Sequence, residues 1–251
     1  MKKALKLTCI AVLFVALIAS FTSCGGGRKT RALIKAIEND DVQTVRMLLE
    51  EKGVDPNKTS VTPSVFWSFL ESCPKRPLSV ACREGNLEIV KLLIEHGATA
   101  EDVEYTWFAP LRATLFYYHP DDVEIVKILL ENGAETVDFE EGDVVFEAAK
   151  MKPKVYDKNM TNGTVFAGGY DEETAKGITE IVKILLGERS VDIKDCSQRT
   201  LLMFAAQKGN LFLAEYLISE GIDTHCMDDY GKTAYDYAVE AGHNDLIALL
   251  K

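Results

Sequence analysis

Positive charge is scarce in this chain. Its 28 lysines and arginines face 39 aspartates and glutamates, a formal charge of −11 over 251 residues. Nucleic acid rewards side chains that neutralise phosphates, so no nucleic-acid partner is expected. Long apolar runs are missing too. Leu7–Phe21 is about 15 residues, shorter than the ~20 that a membrane-spanning helix needs. Histidine is rare, and His96, His119, His225 and His243 never stand at metal-ligand spacing from one another. G-x-S-x-G and H-E-x-x-H are both absent, and Gly168-Gly169 belongs to no phosphate loop. Without a nucleophile, metal or cofactor motif, the expectation is a binding protein with no cofactor and no catalytic residue.

The N-terminus is unlike the rest. MKKALKLTCIAVLFVALIASFTSC carries Lys2, Lys3 and Lys6, then the short apolar run, then small residues before Cys24. A basic start, a short apolar stretch and a small-residue cleavage site read as a bacterial export signal. Thr22-Ser23-Cys24 resembles a lipobox, with Phe21 where leucine is usual. The resemblance implies cleavage after residue 23 and lipidation of Cys24. It leaves an uncleaved anchor or an unlipidated secreted form as alternatives. Cleavage removes three lysines and no acid, so −11 becomes −14. Residues 24–31 (CGGGRKTR) are then expected to be a flexible tether. Eight residues from Cys24 to Ala32 reach at most about 28 Å. The localisation expected is the bacterial cell envelope, on a periplasmic or surface face, held to the membrane by lipid.

Six cysteines suggest a disulfide framework, but their positions disperse it. Cys9 leaves with the signal and Cys24 takes the lipid. Cys82 falls in a helical apolar pattern and reads as a small buried hydrophobe. Bridging among Cys73, Cys82, Cys196 and Cys226 stays open.

The chain repeats itself. LEIVKLLIEHGA at Leu87–Ala98 returns as VEIVKILLENGA at Val123–Ala134, identical at eight of twelve positions, 36 residues on. In the first copy Glu88, Lys91 and Glu95 form one narrow polar stripe of a helix, and apolar residues fill the remainder. A helix with so little polar surface must be covered on more than one side. Gly97 ends it. Upstream, PLSVACREGN adds a second short helix that exits at Gly85. Further copies of this helix–turn–helix unit begin at Ala32, Pro110, Val144, Thr200 and Thr233. The Val144 copy is completed only at Gly177–Gly187. Thr200 to Thr233 is 33 residues, as is Pro77 to Pro110. Such a pair cannot bury both faces alone, whereas stacked neighbours can. Thr233 with Asp236 three residues on reads as a capping box, and Thr200 caps likewise.

The 33-residue period, the starts TLLMFAA (200–206) and RPLSVAC (76–82), the turns Gly85-Asn86, Gly209-Asn210 and Gly242-His243, and the Gly-Ala ends resemble ankyrin repeats. The resemblance runs from about Ala32 to Lys251, although no copy keeps the motif histidine. It implies an all-α solenoid of about six helix-turn-helix repeats with short β-hairpin loops. It also implies a partner protein held on the concave face and the hairpin loops of a monomer.

Insertions make the protein individual. One lies near 58–75 and contains VFWSFL with Trp67; another lies near 150–176, where Asn162-Gly163 signals a hairpin turn and Lys150, Lys152, Lys154 and Lys158 make a basic loop. TAEDVEYTWFAP (99–110) corresponds to a finger carrying Tyr105 and Trp107, and FYYHP (116–120) lengthens an inner turn with Tyr117 and Tyr118. Each aromatic has a plain reading as core and a functional reading as a partner anchor. Tyr105, Trp107, Tyr117 and Tyr118, with Trp67, are the binding candidates. A rim of Glu101, Asp102, Glu104, Asp121 and Asp122 suits a basic partner. Two rival functions keep the fold: an inhibitor or immunity-type protein that neutralises a toxin or enzyme, and a ligand site or enzyme built on Met151–Lys176.

Overall fold

A computed structural model describes residues 24–50, 54–60, 75–101, 109–138, 142–153 and 170–251. These residues form twelve helices and four two-residue strands, the mostly helical architecture the repeats led us to expect. They fall into two compact units. One takes the described residues up to Ala81 with Glu88–Thr99; the other takes Cys82–Leu87 and everything from Ala100 onward.

In the first unit, α1 (Cys24–Glu38) packs on α2 (Val42–Glu50). The stretch 24–31, expected as an open tether, is helical. The apolar stripe of Leu33, Ile34 and Ile37 is continued one turn earlier by the buried Thr30, and the helix follows that register back. Its rise over eight residues is about 12 Å, less than half the reach of an extended tether. Asp41 caps α2 by accepting from the Thr44 N–H (3.0 Å) and hydroxyl (2.6 Å). α3 (Pro77–Glu84) begins in this unit, which also holds α4 (Leu87–Glu95) from Glu88 on. Ile89, Val90 and Leu93 of α4 are fully buried. The ends of the first insertion meet in an antiparallel bridge: the Ser60 N–H donates to the Lys75 carbonyl (3.0 Å), and the Lys75 N–H returns the bond (3.2 Å).

The second unit is a stack of helix pairs. Its inner helices are α5 (Pro110–Thr114), α7 (Val144–Lys150), α9 (Leu201–Lys208) and α11 (Ala234–Ala241). Its outer helices are α6 (Asp122–Glu131), α8 (Glu172–Leu186), α10 (Leu211–Ser219) and α12 (Asn244–Leu249). α9 packs between α7 and α11, and α10 between α8 and α12. The stack shows in register. Ile125, Ile181, Leu213 and Leu246 hold one position in successive outer helices, and none exceeds 1 % exposure. Strands β2 (Val137–Asp138) and β3 (Gly142–Asp143) make an antiparallel finger before α7. α8 starts five residues before the expected Gly177. Asp171 caps it by accepting from the Thr174 N–H (2.8 Å), and Glu172 and Glu173 place negative charge at the positive end of the helix dipole.

Capping chemistry closes the copies as the sequence indicated. Thr233 and Asp236 form the capping box, with the Thr233 N–H donating to Asp236 at 2.8 Å and the Asp236 N–H donating to the Thr233 hydroxyl at 3.3 Å. A second device went unrecognised. Asp195 and Asp228, each five residues before a capping threonine, fold their finger tips. Asp228 accepts from the Tyr230 and Lys232 N–H groups (2.9 Å each) and from the Tyr237 hydroxyl (2.6 Å). Asp195 accepts from Ser197 and Arg199 in the same pattern (2.9 Å each). The adjacent tips join where the Asp229 N–H donates to the Ser197 carbonyl (3.1 Å). Burial works to raise the Asp228 carboxyl, but these donors outweigh it and hold the group below the usual value. Replacing Asp228 by Ala strands three donors and is expected to cost roughly 2 kcal/mol in urea unfolding. The neighbouring exposed Asp229→Ala should cost little.

Candidate functional site

The turn between α5 and α6 is the long FYYHP turn, and it does not stay a loop. Tyr117–Tyr118 forms β1, which pairs in parallel with β4 (Lys152–Pro153) at the start of the second insertion; Tyr117 is register partner to Lys152, and Tyr118 to Pro153. Adjacent residues of a strand face opposite ways. Tyr118 turns inward, 8 % exposed, and Tyr117 turns outward, 44 % exposed. Tyr118 therefore is not a surface contact, contrary to expectation. Its ring lies on the backbone of α8 at Gly177, where a Cβ would stand 1.9 Å from the Tyr118 hydroxyl oxygen. Burial, followed by the charge of Asp122, pushes the Tyr118 hydroxyl above its ordinary value. Only glycine admits this approach, which explains a glycine in the middle of a helix. Phe116, which was not singled out, is 53 % exposed next to Tyr117. Both ends of the insertion are tied down here, because the Tyr170 hydroxyl donates to the Met151 carbonyl.

The other candidates divide. Cys24 is the first residue of α1. Trp67, Tyr105 and Trp107 lie outside the described residues, as do Asp102 and Glu104 of the expected acidic rim. Asp121 is exposed, but Asp122 is wholly buried, so it is no part of a rim. Asp122 belongs to a polar cluster under the turn. One of its oxygens accepts from the His119 N–H (2.7 Å) and lies 3.3 Å from His119 Nδ1. The His119 ring covers Gly85, whose backbone is left-handed (φ +72°) and whose Cβ, if present, would strike the ring at 2.3 Å. His243 covers Gly209 in the same way. Two of the four histidines thus seal the glycine that ends the preceding inner helix. Cys82 completes the cluster beside Thr114. Burial pushes its thiol up to about 12, and Asp122 adds to the rise, so it is held as a protonated thiol rather than a nucleophile.

The Asp122 position is occupied by Asn86 and Asn210 in other copies. Asn210 accepts from the Leu213 N–H (3.0 Å) and donates to the Ala175 carbonyl (3.2 Å), which links it to the helix before. A carboxylate cannot donate in this way, and one Asp122 oxygen and His119 Nε2 have no partner among the described residues. Burial raises the Asp122 carboxyl above its usual value, and the His119 bonds only partly oppose this. A raised carboxyl binds its proton more readily in the folded chain. Asp122 therefore destabilises above its folded pKa, and the penalty is relieved as pH falls through it. Asp122→Asn is expected to gain about 1 kcal/mol at pH 7, a rise of about 2–4 °C in melting temperature, with the gain shrinking in acid.

Further exposed apolar side chains stand on helices (Met47, Val239 and Leu249) and on a finger tip. Met227 and Tyr230 project from the last finger, each more than half exposed. No group of three His, Cys, Asp or Glu side chains is placed to hold a metal ion among the described residues. Outside the tips, aromatic rings carry cations: Lys176 over Phe212 (5.0 Å), Lys183 over Tyr216 (4.6 Å), and both Lys150 (5.1 Å) and Arg199 (4.5 Å) over Phe204.

Comparison with known proteins agrees with this geometry. A stretch of 78 residues, 30% of the chain, is 38% identical to the "Ankyrin repeat protein nuc-2" of Neurospora crassa. The match spans only 7% of that protein's length. A family model described as "Ankyrin repeats (3 copies)" matches residues 33–140 and 174–251, leaving out most of the second insertion. With most of its length matched and its helix pairs stacked in register, the chain belongs to the ankyrin-repeat family, whose members are in general protein-interaction modules.

Proposed function

We propose that the chain is an exported, lipid-anchored ankyrin-repeat protein that binds another protein through its concave face and hairpin loops. The observation that carries the binding reading is the presentation of Phe116 and Tyr117 to solvent by a turn locked from below by Tyr118 on Gly177. Large apolar side chains held rigid and exposed bind at low entropic cost. The anchor rests on the export-signal pattern before Cys24. The net charge of −11 favours a basic partner surface at long range. A basic toxin or enzyme neutralised by this protein is the second reading, favoured by the same charge.

Phe116→Ala with Tyr117→Ala should reduce stoichiometric capture of a partner from detergent extract by about tenfold or more, with the melting temperature nearly unchanged. Capture unaffected by the pair would reject this surface, and no stoichiometric partner at all would reject the binding reading. Cys24→Ala should abolish labelling by palmitate analogues and move the protein to the soluble fraction. Unaltered fractionation would defeat the anchor.

A further inference from the structure

The second insertion leaves α7 through a run of lysines. Lys150 ends α7, and Lys152 follows in β4. α9 packs on α7, and the Lys150 ammonium lies 5.1 Å from the centre of the Phe204 ring of α9. One helical turn beyond Phe204 is Lys208, the last residue of α9. Three ammonium groups therefore gather where two inner helices end. Lys150 has company, pairing with Glu147 at 3.0 Å. Lys152 and Lys208 have no ion-pair partner among the described residues. Lys208 shows the crowding: burial first, and then the charges of Lys152 and Lys150, hold its amine below the ordinary lysine value. Arg199, which also lies over the Phe204 ring (4.5 Å), is already committed to Asp195 (2.9 and 2.7 Å).

The β1–β4 ladder sets this cluster beside the exposed aromatics. Tyr117 and Lys152 are register partners, and both are exposed. Partners in register project to the same side of a ladder. Exposed aromatic surface thus lies beside positive charge: Phe116 and Tyr117 with Lys152 and Lys208, which have no ion-pair partner among the described residues, and with Lys150, which is paired with Glu147.

We propose that this patch docks a short acidic segment of the partner protein, its carboxylates on Lys152 and Lys208 and an apolar residue on Phe116 and Tyr117. The inference rests on the binding reading above and gives the partner's local chemistry. The patch is a positive island on a chain of net charge −11. A wholly acidic protein would be repelled by the surrounding field, so the ligand is a brief acidic stretch on an otherwise neutral or basic surface. Carboxylates arriving there relieve the repulsion among the three ammonium groups, which discriminates against a basic segment.

The test uses the full chain and a fluorescein-labelled peptide in which one tryptophan flanked by a pair of glutamates on each side sits in an otherwise neutral sequence, followed by anisotropy at roughly 150 mM salt, where the long-range field of the chain is screened more than close charge contacts are. The wild-type chain should bind it more tightly than the lysine counterpart of the peptide. Lys152→Glu and Lys208→Gln should each weaken binding by about tenfold. Lys127→Glu, an exposed charge reversal on α6, should change it by about twofold at most. Gly177→Ala, which unseats Tyr118 and with it the ladder, should weaken binding even where circular dichroism keeps its helical signal. Absence of binding, equal loss in Lys127→Glu, or preference for the basic peptide would each overturn the proposal. If partner capture survives Lys152→Glu and Lys208→Gln, the acidic-segment proposal falls and the binding reading stands.

Discussion

A helix pair as short as α9 and α10 cannot shelter its own apolar side chains. Leu201 to Ala206 are all buried, a run that leaves no polar face along most of α9. The residues covering them come from α7 and α11, the neighbours in the stack. Hydrophobic burial shared between adjacent copies is thus the constraint from which the remaining features follow. It sets the register in which Ile125, Ile181, Leu213 and Leu246 recur, and it goes with most helices stopping after two or three turns so that the chain can return.

Returning the chain so tightly needs special chemistry at each end. Where α3 and α9 end, a left-handed glycine turns the backbone and a histidine ring lies against it, His119 on Gly85 and His243 on Gly209. Where fingers begin, Asp195 and Asp228 each gather backbone donors of their own turn. Asp122 is the exception that shows the rule. It sits where a neutral amide would satisfy both sides and brings a charge instead. Its raised carboxyl, and the His119 Nε2 that has no partner among the described residues, are the physical cost of that charge.

The insertions depart from the repeat without breaking it. FYYHP and the start of the second insertion, far apart in sequence, meet in a two-residue parallel ladder. That ladder sorts two consecutive tyrosines into opposite roles. One becomes part of the core against a glycine of α8, and the other faces outward beside a lysine. The packing of α9 on α7 brings lysines from two inner helices together on an acidic chain.

How much of this could be read beforehand depends on range. The repeat, its phase, the glycine stops, the Thr233 capping box and the buried Cys82 are local or periodic features, and sequence alone determined them. Periodicity reports directly which face must be covered. Asp195 and Asp228 were equally legible, five residues before each capping threonine, but went unread. Sequence could not tell Tyr117 from Tyr118, or place Asp122 inside rather than on a rim. Nor could it foresee that Lys208 stands near Lys152, or that Gly177 exists for Tyr118. These follow from contacts between residues tens of positions apart, whose partners are chosen by packing once the copies are stacked. The array was written in the order of the residues, whereas the outward face of Tyr117 beside Lys152 was decided only when two inserted turns met.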